Sequence, residues 1–194
     1  MTTPLDLARQ ELAAGVREPA AYDRYSGGRD EAWCAHFVSW LFDNSGLPLP
    51  GFFKPFNAKG GLPPTAGCNY LMKRMREFGR ILPEGAEPKP NDLIFYKHRE
   101  GGQFVSPGLY GFPVIYGHVG LVEGVETDPK TGQKYVITIE GNYSNKVARV
   151  RTKLNDPSIG AFARPVDFGA IAVGAGTLLA SALGVYAVWR YKQR

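Results

Sequence analysis

Cysteine is scarce in this sequence, with only Cys34 and Cys68, and there are only three histidines. None of the histidines is spaced to form a metal pair with the cysteines, so no zinc site, no other metal and no cofactor is expected. A lone disulfide between the two cysteines stays open, but nothing in their spacing demands it. The preferred reading is one free thiol and one spare buried cysteine. No arginine-rich run, zinc knuckle or RNA-binding signature is present, and no nucleic-acid partner is expected. The N-terminus, Met1-Thr2-Thr3-Pro4-Leu5-Asp6, lacks a basic start followed by an apolar core, so no signal peptide is expected. Internal repeats and low-complexity tracts are also missing.

What is present suits one folded domain plus an appendage. The chain has 194 residues, 44% of them apolar, with 11 Phe, 10 Tyr and 3 Trp, enough for a packed core. The net charge of +5 and pI of about 9.2 suit an anionic polymer or lipid headgroups as neighbours.

Residues 4–15 read as a helix with Leu5, Leu7, Ala8, Leu12 and Ala13 on one face. Residues 16–30 are polar and read as a loop. Trp33, Phe37, Trp40 and Leu41 then form one apolar stripe at i, i+4, i+7, i+8, so a helix is expected there, with Asp30 as N-cap and Gly46 and Pro48 as the stop. Residues 46–64 are rich in proline and glycine and read as an irregular excursion. Residues 65–78 read as a helix with Leu71, Met72, Met75 and Phe78 inward. Strands are expected at 93–96, 116–125, 134–140 and 145–153, with a Gly-rich hairpin or loop at 97–113. Helices followed by antiparallel strands make an α+β domain over residues 1–155. Residues 156–167 read as a tether.

Cys34 lies at the expected first turn of its helix, where the positive end of the dipole favours a thiolate. Taken alone, a cysteine there is equally a small buried hydrophobe. His118 lies in Tyr116-Gly117-His118-Val119-Gly120-Leu121-Val122, a half-buried strand whose glycines leave room beside the ring. Alternation puts His118, Gly120 and Val122 on one face. Glu140 and Asn142, two apart at the end of the next strand, share a side, and each is a candidate acceptor for the His118 ring. His36 is two residues beyond Cys34 and points elsewhere on the helix. His98, among Lys97, Arg99 and Glu100, reads as solvated loop. A cysteine, then a strand histidine, then a later polar acceptor is the order of thiol acyl-transfer chemistry.

The segments Ala32-Trp33-Cys34-Ala35-His36-Phe37-Val38-Ser39-Trp40, Pro90-Asn91-Asp92-Leu93-Ile94-Phe95, Gly117-His118-Val119-Gly120-Leu121-Val122 and Ile139-Glu140-Gly141-Asn142 together resemble the CHAP family, the cysteine, histidine-dependent amidohydrolases/peptidases related to the NlpC/P60 group. The resemblance spans about residues 5–155. It implies a papain-like α+β fold and cleavage of amide or peptide bonds in peptidoglycan. It implies Cys34 as nucleophile, His118 as base, Glu140 as the group orienting His118, and Asn142 as a further polar site residue. Trp33 and Tyr116 are expected to line the substrate groove, with core packing as the alternative for both. Two departures stand out. The usual Pro-Gly-Asp turn is Pro90-Asn91-Asp92 here, and the calcium-binding Asp cluster of some phage members is not reproduced.

Residues 168–189 carry no charge. At ~1.5 Å per residue they reach across a ~30 Å hydrocarbon core, so a transmembrane helix is expected. Tyr186, Trp189 and Tyr191 would form an aromatic belt, and the basic tail 190–194 follows. Ala172, Gly176, Ala180 and Gly184 recur every four residues, a small-residue ridge suited to helix–helix self-association. The sequence thus predicts a single-pass, C-terminally anchored wall hydrolase of a bacterial envelope or of the internal membrane of a phage virion. The alternatives are a catalytically inactive wall-binding or membrane structural protein, and a thiol acyltransferase on the same fold.

Overall fold

The computed structural model describes residues 2–47, 49, 67–106 and 108–166. Helix α1 (Pro4–Ala13) opens on a capping box, in which Thr3 and Asp6 exchange side-chain and backbone hydrogen bonds. Helix α2 (Cys34–Asn44) starts after Trp33, not after Asp30, and carries no side-chain cap. It ends at Ser45, where Gly46 takes the left-handed conformation (φ 75°) that stops a helix. Between α1 and α2, where a loop was expected, Tyr22–Ser26 forms a π-helical turn. Helix α3 (Cys68–Glu77) buries Leu71, Met72 and Met75 as predicted, but Phe78 lies past its end, exposed and covered by Arg74.

Seven strands follow: β1 (Leu93–Lys97), β2 (Arg99–Glu100), β3 (Gln103–Phe104), β4 (Tyr116–Thr127), β5 (Lys134–Tyr143), β6 (Lys146–Lys153) and β7 (Ile159–Ala163). The short β2–β3 pair turns at Gly101 and Gly102. The other five form one antiparallel sheet in the order β6-β5-β4-β1-β7. Strand β7 corrects the expected tether at 156–167, since it pairs with β1 as an edge strand of the domain. Among the described residues no helix is long and apolar enough to cross a membrane. The expected span at 168–189, its small-residue ridge and most of the 46–64 excursion lie outside the described residues.

The helices cover one face of the sheet. Leu5, Ala8, Phe37, Leu41, Phe42, Leu71 and Met75 pack there against Leu93, Phe95, Val119, Leu121, Ile139 and Ala163. Each of the larger of these side chains, the Leu, Ile, Val, Phe and Met, contributes roughly 1.5–3 kcal/mol when taken wholly from water. The opposite face has a smaller cluster of Ile94, Val122 and Val136, flanked by Tyr96, Leu154, Ile159 and Phe162. This is the expected α+β arrangement of helices on an antiparallel sheet.

The turn before β1 shows what Asn91 does. It has φ 72°, a left-handed conformation that Asn tolerates better than most residues. Its Oδ1 accepts the Leu5 N–H at 2.8 Å, one of the amides at the start of α1 that no helical carbonyl can reach. A glycine could take the same backbone shape but could not make that bond. Next to it, buried Asp92 receives Arg164 Nε at 2.9 Å and Arg164 Nη2 at 2.7 Å, which ties the exit of β7 to the entry of β1.

Candidate active site

Cys34 is the first residue of α2, so its sulfur lies at the helix start and its N–H has no intrahelical acceptor. The sheet makes room for this helix end. The β4–β5 ladder runs from Thr127–Lys134 to Leu121–Ile139 and no further. Beyond it, Gly141 of β5 lies against Phe37 and Trp33, and a Cβ there would come within 2.5 Å of Phe37. On the other side, Val122 N–H donates to Asp92 O. By antiparallel alternation the Val119 N–H therefore points away from β1. It is directed at the helix end, where it helps to lower the Cys34 pKa.

His118 and Glu140 are joined by a hydrogen bond. His118 Nε2 is 2.8 Å from Glu140 Oε2, and the His118 ring is near enough to Cys34 for each to shift the other's pKa. With Nε2 taken by Glu140, Nδ1 is the nitrogen left for the sulfur. Glu140 is 1% exposed and is held from its other side. Thr138 Oγ1 donates to Oε1 at 2.6 Å and Tyr96 Oη donates to it at 2.8 Å. Burial and then the Glu140 charge push Tyr96 above its ordinary pKa, which keeps it a donor.

The electrostatics match this geometry. The Cys34 thiol is held well below its ordinary value, first by its hydrogen bond with Cys68, whose Sγ is 3.5 Å away. Burial opposes this, and the His118 hydrogen bond, the His118 charge and the Val119 N–H add to it. Burial also disfavours the charge on His118, but the hydrogen bonds and charges of Cys34 and Glu140 outweigh it and push its pKa up to about 10. Both shifts run in the direction that favours a thiolate beside an imidazolium.

Several expected roles change. Asn142 does not join Glu140, because the ladder with β6 shifts register between Glu140 and Tyr143 and Asn142 turns left-handed at φ 60°. Strict alternation fails across such a bulge. Trp33 is 0% exposed, stacked on Tyr25, with its Nε1–H donated to Glu18. Tyr116 is 6% exposed and packed edge-on against Phe95 and Phe112. Both pack in the core; Tyr116 also lines a cavity with Met72, Ile81 and Phe162, whose lining includes neither Cys34 nor His118. The glycines beside His118 also serve packing. A Cβ on Gly120 would meet Glu140 Cγ at 2.7 Å, and one on Gly117 would meet His98.

His36 is buried and paired with Glu31 at 3.1 Å, while His98 is half-buried and 3.3 Å from Glu100. Neither is hydrogen-bonded to Cys34. Four supporting residues were not legible beforehand: Thr138, Tyr96, Cys68 and Asn69. Asn69 clamps the Tyr116 backbone, accepting its N–H at 2.9 Å and donating to its C=O at 3.0 Å. Only Thr138, two residues before Glu140 on a strand, left a sequence signal. Among the described residues no group of His, Cys, Asp and Glu side chains could hold a metal ion.

Cys34, His118 and Glu140, brought together from a helix start and two neighbouring strands, are the parts needed for covalent acyl transfer. The family model of the CHAP domain matches residues 24–142, more than half of the chain and all three of these residues. The chain belongs to the CHAP-domain family. That family is one of cell-wall amidases and peptidases that act on peptidoglycan. No curated protein and no solved structure matches the chain.

Proposed function

We propose that this CHAP-domain protein hydrolyses amide or peptide bonds of peptidoglycan with Cys34 as nucleophile, His118 as proton carrier and Glu140 as the group that orients His118. The meeting of Cys34, His118 and Glu140, with His118 hydrogen-bonded to Glu140 and Cys34 and His118 shifting each other's pKa, carries this reading. The Cys34 thiolate attacks the carbonyl carbon and forms the C–S bond. The Cys34 N–H, at the start of α2, donates to the developing oxyanion. The His118 imidazolium passes its proton to the leaving nitrogen as the C–N bond breaks. Water then gives a proton to His118 and attacks the thioester, and the carboxylate product leaves with the thiolate restored. Glu140 keeps Nε2 protonated, so that Nδ1 is the nitrogen that exchanges protons.

The test is clearing of purified peptidoglycan by the full chain, by Cys34→Ala and by His118→Ala, with products identified by mass spectrometry. Clearing by the parent and loss in both variants supports the proposal. Equal clearing by Cys34→Ala sinks it. The uncharged stretch 168–189, with Tyr186, Trp189 and Tyr191 beside Arg190, Lys192 and Arg194, supports a membrane anchor as part of the same proposal. Flotation of the full chain with liposomes, compared with a chain ending at residue 167, tests that part.

A further inference from the structure

Two helices begin at the same place. Cys34 is the first residue of α2 and Cys68 is the first residue of α3. Their sulfurs lie 3.5 Å apart, a hydrogen-bonding distance for a thiol and a sulfur acceptor. Both cysteines are buried and both are free. Cys68 is not loosely placed. Asn69, its neighbour, grips the Tyr116 backbone at both ends, two residues before His118 on β4. The helix that carries Cys68 is thus fastened to the strand that carries the base.

Three groups bear on the Cys34 sulfur: the His118 ring, the Val119 N–H and the Cys68 thiol, whose Sγ is 3.5 Å away. The mechanism above uses only the first. We propose that Cys68 is a positioning residue for the nucleophile, its S–H donating to the Cys34 sulfur and holding the thiolate in place beside His118. This rests on Cys34 being the nucleophile. The Cys34 contact and then burial push the Cys68 thiol up, so it keeps the proton that a donor needs. A sulfur anion in a buried site is stabilised by each donor it gains, and a hydrogen bond to a charged group is worth about tenfold in the ionisation equilibrium.

The experiment is the pH dependence of Cys34 alkylation by iodoacetamide in the full chain. It is followed by mass spectrometry of the Cys34 peptide, beside kcat and KM on purified peptidoglycan. The variants are Cys68→Ala and Cys68→Ser. Cys68→Ala is expected to move the acid inflection of Cys34 alkylation up by about one pH unit, to slow alkylation below that inflection about tenfold and to lower kcat with KM unchanged. Cys68→Ser keeps a donor and is expected to restore the inflection to the parent position. The proposal is overturned if the Cys68→Ala profile superimposes on the parent, or if Cys68→Ser shifts as far as Cys68→Ala. If the alanine variant does not fold, the serine variant decides alone: an inflection one unit above the parent refutes the donor role. Alkylation reads the hydrogen bond without any wall substrate. A failure of Cys68 as donor is therefore distinct from a failure of Cys34 as nucleophile, which shows as wall clearing by Cys34→Ala.

Discussion

Replacing Glu140 by Gln changes one atom type and keeps the volume, yet the surroundings dictate a large effect. Thr138 Oγ1 and Tyr96 Oη both donate to Oε1, at 2.6 and 2.8 Å. In the Glu140→Gln variant the amide oxygen is the atom that can accept from both, so it takes the Oε1 place. The amide nitrogen then faces His118 Nε2, where the parent has a carboxylate oxygen at 2.8 Å. An N–H in that place makes Nε2 the acceptor and moves the proton of the neutral ring to Nδ1. In the neutral ring the nitrogen that faces Cys34 then has no free lone pair, so the ring cannot take the Cys34 thiol proton and the thiolate–imidazolium pair does not form. Loss of one charge-assisted hydrogen bond would cost ~1.5–3 kcal/mol, roughly 10- to 150-fold in rate. Loss of the working tautomer costs up to about 10⁴-fold. A fall of about 10³- to 10⁴-fold in kcat/KM is expected, measured by release of new amino groups from purified peptidoglycan. Tyr96→Phe leaves Thr138 as donor to Oε1 and is expected to cost only about 3- to 10-fold. If Glu140→Gln stays within tenfold of the parent while folded, the tautomer argument is wrong.

Further outcomes follow from the same geometry. His118 is charged more readily in the folded chain, at about 10 against an ordinary 6.5, so its stabilisation is complete below pH 6.5 and is lost as pH rises through about 10. Cys34 runs the other way: its depressed value lends stability that is present above pH 9.0 and lost as pH falls through the folded value. The pH profile of kcat/KM should accordingly hold a plateau whose alkaline limb falls near pH 10, and an alkaline limb centred near pH 7 would contradict the thiolate–imidazolium pair. Asn91→Ala should destabilise by about 2–3 kcal/mol in urea melts, from left-handed strain and the lost Leu5 bond, and Asn91→Gly by about 1 kcal/mol; equal losses would show that strain plays no part. Hydrogen peroxide should oxidise the Cys34 thiolate to a sulfenic acid with release of hydroxide. Attack by Cys68 then expels water and closes a Cys34–Cys68 disulfide. Intact mass should show loss of two hydrogens and dithiothreitol should restore activity, whereas irreversible sulfinic acid at Cys34 would show that Cys68 does not reach it.

The residues differ in how much the sequence discloses, for reasons that are physical. Cys34, His118 and Glu140 are readable because each stands in a local pattern: a helix start, a glycine-flanked strand and a strand end. Asn142 is misplaced by alternation because the backbone bulges and turns left-handed at that point. Strand β7 escapes notice because Ile159-Gly160-Ala161-Phe162-Ala163 has no apolar period, its glycine being needed where the Tyr116 ring lies 2.3 Å from a would-be Cβ. Trp33 and Tyr116 adjoin site residues in sequence, but their rings turn into the core. Cys68 is 34 residues from Cys34, and no spacing rule foretells that two helix starts will meet.

The site is divided between two parts of the chain, and this governs when it becomes reactive. His118 and Glu140 are 22 residues apart on adjoining strands of one β-meander, so base and orienting group meet through a short loop closure. Cys34 arrives from the N-terminal helices, across a much longer stretch of chain, and finds the groups that make it a thiolate only when α2 has docked where β4 and β5 part. A chain emerging from synthesis carries an ordinary thiol throughout. On the proposed mechanism the nucleophile reports completed assembly, and alkylation of Cys34 during refolding should rise with docking of α2 and not with formation of the sheet. The divergence of two strands acts as a safety catch that only the finished fold releases.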